Sequence, residues 1–183
     1  MLQYKIFLVF EMEKTMKLLE DIFGEEILIF ENNIVAIPYD YGKRGYRYVL
    51  EKVKDLDVKQ FIVTPFNFLK FLELSISNNY HINDISFIES LPHEEQEFIN
   101  EYKQKLNKTI NYLDKSLIMD NLFKELEWLS SDESVDIKSI SVRCKNQDSQ
   151  LLFEIELYNN GVLLVGDISI IEKAKELINY IND

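Results

Sequence analysis

One run of ten residues concentrates side chains that could do chemistry. Tyr39-Asp40-Tyr41-Gly42-Lys43-Arg44-Gly45-Tyr46-Arg47-Tyr48 sets three cations and four tyrosines into a chain whose formal charge is −12. Gly42 and Gly45 bracket Lys43-Arg44, so the backbone there can turn sharply and gather its N–H groups. If a helix starts near Tyr46, its first N–H groups would add to an anion site. Arg and Tyr are also the residue types that dominate protein–protein hot spots. Three descriptions fit the run: an exposed loop with tyrosines half-buried on a sheet, a contact site for a partner protein, or an anion or nucleotide site. A basic glycine loop without the full P-loop pattern is a weak nucleotide signal. The candidate binding residues are Tyr41, Lys43, Arg44, Tyr46, Arg47 and Tyr48.

Other constellations are thinner. His81 and His93 are the only histidines, and neither forms a helical pair with a carboxylate at ligand spacing. The single cysteine, Cys144, excludes thiolate clusters and an intramolecular disulfide. No metal site and no cofactor are expected. There is no Gly-x-Ser-x-Gly elbow, Cys144 reads as a small strand hydrophobe, and no catalytic residue is assigned. Glu154 and Glu156 share one face of a strand, with Asp167 further on and Lys138 or Lys145 to supply a cation. Such a set can build a magnesium-dependent nuclease or hydrolase site. The Asp…Glu-x-Lys order is absent, and a solvated face beside Arg143 accounts for the same residues.

Charge narrows the partners. At −12 and a pI near 4.7, the chain lacks the clustered Lys/Arg that a sequence-independent grip on nucleic acid needs. An acidic surface serves solubility, or it attracts another protein with a basic surface and speeds the encounter. Ile6 to Phe10 is too short for a secretory signal and runs straight into Glu11 and Glu13. No stretch approaches the ~20 apolar residues of a membrane span. A cytoplasmic location and no membrane partner are expected, and nothing sets an oligomeric state.

The elements that must position these residues follow from periodicity. Hydrophobic content of 46% with 5 glycines and 3 prolines belongs to a folded chain with few linkers. Leu2 to Phe10, apolar on both sides, reads as a central strand. Met12 to Phe23 reads as a helix stopped by Gly24. Residues 26–31 and 34–37 form a hairpin across Asn32-Asn33, ended by Pro38. Tyr46 to Val53 is a short helix, Val58 to Thr64 is β-rich, and Pro65 opens a helix capped by Thr64. Residues 78–83 read as a turn and Ile85 to Ile88 as a short strand.

The stretch from Pro92 to Leu129 is the longest helical signal. Ser90 or Leu91 should cap it, and its stripe runs Phe98, Tyr102, Leu106, Ile110, Leu113, Leu117. One helix would be on the order of 55–60 Å long, so a break at residues 111–116, capped by Asp114 or Ser116, is preferred to a single strut. Ser130 to Ser134 is a polar loop. Residues 137–145 and 151–158 then form a hairpin whose expected register sets Cys144 against Leu151, Val142 against Phe153 and Ile140 against Ile155. Asn160-Gly161 turns into a third strand, and Asp167 or Ser169 caps a last helix.

The fold class is α+β: an N-terminal mixed sheet with helices, central long or paired helices, and a C-terminal three-stranded antiparallel meander with a packed helix. The segments are an N-terminal lobe over 1–89, a central helical segment over 90–130 and a βββα lobe over 131–183, or the three form one continuous domain. The expected function is a non-catalytic protein-binding module, such as an inhibitor, an immunity-type protein or a small subunit of a bacterial or phage complex. The alternatives are a magnesium-dependent hydrolase or nuclease using strand carboxylates, and a small nucleotide or anion sensor.

Overall fold

The computed structural model describes residues 1–24, 26–40, 42, 45–146 and 149–182. The chain is α+β, and its strands join into one eight-stranded antiparallel sheet. In chain order the elements are β1 (Leu2–Val9), α1 (Met12–Phe23), β2 (Leu28–Ile29), β3 (Ile34–Pro38), α2 (Tyr46–Val53), β4 (Val58–Gln60) and α3 (Pro65–Ser77). There follow β5 (His81–Phe87), α4 (His93–Lys108), α5 (Tyr112–Ser131), β6 (Ile137–Lys145), β7 (Leu152–Tyr158), β8 (Val162–Val165) and α6 (Ile171–Ile181). The strand order is β2-β3-β1-β8-β7-β6-β5, with β4 also paired to β1. Pairing of β1 with β8 makes the sheet continuous between the two ends of the chain.

Strand alternation divides the core. Tyr4 and Ile6 of β1 point toward α3, α4, α5 and α6, together with Val142, Ile155 and Leu163. Phe7 and Val9 point the other way, toward α1 and α2. β1 is buried on both sides, as its mainly apolar run demands, and Lys5 is buried with it. The core under α1 and α2 includes no residue of β5 or β6. On that face β6 and β7 instead present Ser139, Ser141, Glu154 and Glu156, tied to one another and to β5 by side-chain hydrogen bonds, with Arg143 beside Glu154 as an ion pair.

Most local signals act as expected. Asn32 and Asn33 take φ of 55° and 59° in the β2–β3 turn, and Gly24 ends α1. Asn67 N–H donates to Thr64 Oγ1 at 3.2 Å and Thr64 N–H to Asn67 Oδ1 at 3.0 Å, a capping box at the start of α3. Asn67 Nδ2 also donates to the Ile181 carbonyl at 2.8 Å, which locks α3 to the end of α6.

Several boundaries differ. α4 begins at His93 with Pro92 as its cap, one or two residues later than Leu91 or Ser90; the extended ψ of 156° at Pro92 keeps it outside the helix. The break between α4 and α5 is real, but Asn111 makes the cap by accepting from Leu113 N–H at 3.0 Å, not Asp114 or Ser116. α5 runs on through Ser131, into the expected loop. β5 starts at His81, so the turn is confined to residues 78–80, where Asn79 takes φ 57°. The β6–β7 register is displaced by two residues: Cys144 faces Phe153, Val142 faces Ile155 and Ile140 faces Leu157. An even displacement keeps every side chain on its expected face. It sets Arg143 opposite Glu154 with 3.9 Å between Nε and Oε2, where the shorter loop would have opposed it to Leu152.

The break also redirects the apolar stripe. Ile99 and Leu106 are buried, but Ile110, Leu113 and Leu117 are 96%, 77% and 63% exposed. Leu122, Leu126 and Leu129 form the buried side of α5. At about 100° per residue, Leu113 lies on the opposite side of that helix from Leu122.

Candidate functional site

β1 changes partners halfway along one edge. Leu2 to Lys5 pair with β8 and Phe7 to Val9 pair with β4. Ile6 sits at the junction: its N–H donates to the Gly161 carbonyl at 2.9 Å, and its carbonyl accepts from Phe61 N–H at 3.1 Å. Two chain segments thus meet end to end on one strand and then diverge. Val63 N–H still reaches the Asn159 carbonyl at 2.8 Å.

Gly161 permits this meeting. Its φ is +74°, and a Cβ there would lie 2.2 Å from the Phe61 carbonyl oxygen. No other residue type fits that approach. Lys5 lies beneath. Its side chain is fully buried, its Nζ donates to the Asn160 carbonyl, and burial pulls its pKa down to about 8. The rings of Phe7 and Tyr46 each lie 5.9 Å from Nζ, a cation–π environment that offsets part of the desolvation.

Where the segments diverge a cleft of about 360 Å³ opens. Ile62, Val63, Pro65, Phe68 and Ile137 give it apolar walls, and Thr64, Asp136, Asn159 and Asn160 supply its polar groups. Asp136 is the one charged residue in the wall among the described residues. Two more large apolar side chains stand exposed, Phe66 next to Pro65 on the first turn of α3 and Ile88, whose N–H donates to the Asp136 carbonyl at 2.9 Å. That hydrogen bond brings together two stretches, residues 89–101 and 125–136, which contain ten carboxylates and no Lys or Arg. The cleft therefore opens at the acidic end of the α4–α5 hairpin.

The residues singled out by sequence divide unevenly around this site. Tyr41, Lys43 and Arg44 lie outside the described residues. Tyr46 packs inward: its ring meets Tyr39 edge-on at 5.9 Å, its hydroxyl donates to Gln60 Oε1 at 3.2 Å, and it covers Lys5. Tyr48 meets Phe23 edge-on at 6.4 Å, and Lys52 Nζ lies over its ring at 5.6 Å. Arg47 is exposed and 3.7 Å from Glu51. All three lie on α2, on the far face of the sheet; Tyr46 alone is tied to the cleft, through Lys5 and Asn160, while Arg47 and Tyr48 have no such link.

Glu154 and Glu156 lie on the polar face of β7. Glu154 accepts from Asn83 Nδ2 at 3.3 Å and Glu156 from Ser139 Oγ at 2.8 Å. Among the described residues no three or more His, Cys, Asp or Glu side chains are grouped so as to hold a metal ion. Cys144 is buried, and desolvation pushes its thiol pKa up. No described helix is long and apolar enough to cross a membrane.

Sequence reasoning missed Lys5 and the cleft. A lysine in the middle of an otherwise apolar strand is the signal for the first. For the second, Asn160-Gly161 marked a turn, but its contact with Phe61 joins residues a hundred positions apart. Compared with protein families, curated proteins and solved structures, the chain matches none.

Proposed function

We propose that this protein is a non-catalytic binding module whose cleft receives an apolar side chain of a partner with a basic surface. The observation that carries the reading is the join of a 360 Å³ apolar cleft to an acid-rich end, through Asp136. An apolar pocket inside a charged rim is the arrangement that gives a hot spot its desolvated anchor and its steering field. The buried junction of Lys5, Asn160 and Gly161 fixes one wall of the cleft before any partner arrives, which lowers the ordering cost of binding. The carboxylates of β7 support catalysis less well, since each is engaged by Asn83, Arg143 or Ser139.

Co-purification from native cells tests the reading. Wild-type chain should retain a protein of basic pI, and both Ile62→Glu and Asp136→Arg should release it. Equal retention by all three chains would contradict the proposal.

A further inference from the structure

We infer that the cleft also receives the α4–α5 turn of a second copy of this chain, in a head-to-tail contact. This inference rests on the cleft reading given above. The turn has the chemistry that the cleft selects. Ile110, Leu113 and Leu117 are the apolar stripe that the helix break turned outward, and Ile110 is 96% exposed, so it protrudes. Residues 102–118 contain four lysines and one aspartate; Lys105 pairs with Glu101 at 2.6 Å and Lys103 lies 3.5 Å from Asp84, which leaves Lys108 and Lys115 as the cations beside the tip. Lys108 precedes the tip and Lys115 follows it, the latter 3.0 Å from Asn79 Oδ1.

The two ends of one helical hairpin are thus opposite in charge and opposite in shape. One is a protruding apolar tip between Lys108 and Lys115; the other is an apolar cleft with Asp136 in its wall, at the carboxylate-rich end. α5 has 20 residues and spans about 30 Å, so the tip cannot reach the cleft of its own chain. A second copy satisfies both. The contact is heterologous, since different surfaces meet, and it leaves one free tip and one free cleft at the ends of any open assembly. The partner of the cleft and the second copy would compete for the same pocket, so self-association would mask the binding site at high protein concentration.

Sedimentation equilibrium tests this with the full chain. At 50 mM salt, weight-average mass should rise above 21.7 kDa with concentration between about 10 and 500 µM, and it should fall back as salt screens the attraction. Ile110→Asp with Leu113→Asp should be monomeric, and so should Ile62→Glu. Mixing these two variants should restore a species of twice the monomer mass and nothing larger, because only one tip and one cleft remain intact. A monomer at every concentration overturns the inference. So does dimerisation of either variant alone, the mark of tip-to-tip or cleft-to-cleft contact. Sedimentation of the wild type with phosphatidylserine vesicles, lost in the tip variant while the protein alone stays monomeric, overturns it in favour of a lipid surface. Failure of the binding-module reading has a separate sign, since it appears in retention of a foreign protein and not in mass.

Discussion

The Lys5 ammonium donates to the Asn160 carbonyl across 155 positions of sequence, and both groups lie where β4 and β8 meet on β1. A charge buried there without water is costly. Its pKa near 8 in the fold against 10.5 for the free side chain means that the unfolded chain binds more protons between those values. Stability from Lys5 is therefore lowest below about pH 8 and rises as pH climbs toward 10.5. Cys144 and the buried tyrosines, with raised pKa values, act in the opposite sense at high pH. Comparing wild type with Lys5→Met cancels them. The melting temperature of the wild type relative to that variant should rise between pH 7.5 and 10; a difference independent of pH would show that Lys5 is not desolvated.

Gly161 should tolerate no side chain. A Cβ would collide with the Phe61 carbonyl at 2.2 Å, and φ of +74° is strained for alanine. Gly161→Ala should cost about 2–4 kcal/mol in urea unfolding, adding overpacking to backbone strain. Gly45→Ala, with open space around it and φ −60°, serves as the control and should change little. Equal effects at the two positions would contradict the junction geometry.

At the outer edge of β5 one side chain takes up both backbone groups of Ile82. Asn107 of α4 accepts from Ile82 N–H and donates to the Ile82 carbonyl, both at 2.8 Å. Edge strands left open invite pairing with other chains. Asn107→Leu should lower stability by about 1–3 kcal/mol by leaving two backbone groups unpaired. It should also raise light scattering on heating. Unchanged stability would mean that water replaces the amide at no cost.

Much of this fold is legible because its signals are local. Gly24, Asn32-Asn33, Thr64-Pro65 and Asn160-Gly161 each fix a backbone turn within a few residues, and each stands where the sequence places it. The β6–β7 register was legible only modulo two, because alternation specifies a face and not a partner. The outward turn of Ile110, Leu113 and Leu117 was illegible because periodicity runs unbroken through a helix break that Asn111 imposes. The candidate site was the least legible part. Its walls come from segments near residues 62, 136 and 160, and only the folded sheet brings them together.

Tyr46 and Arg47 separate two roles that composition could not. Tyr46 covers a buried ammonium and bonds Gln60, so Tyr46→Ala should lower the melting temperature by several degrees, about 1–3 kcal/mol. Arg47 is exposed beside Glu51, and a surface pair of that kind contributes about 0–1 kcal/mol. Arg47→Ala should leave stability near wild type, so any loss of partner binding in that variant would reassign the contact surface to α2. Identical thermal behaviour of the two variants would contradict the packing described for Tyr46.

Site-specific photocrosslinking in native cells tests the binding-module account most directly. A benzophenone side chain at position 62 lies on the cleft wall, and one at exposed Leu18 of α1 lies on the opposite face of the sheet. The account predicts a discrete adduct from position 62, identified by mass spectrometry as a basic protein other than a second copy, and no such adduct from position 18. No foreign adduct from position 62, or the same adduct from both positions, would contradict it.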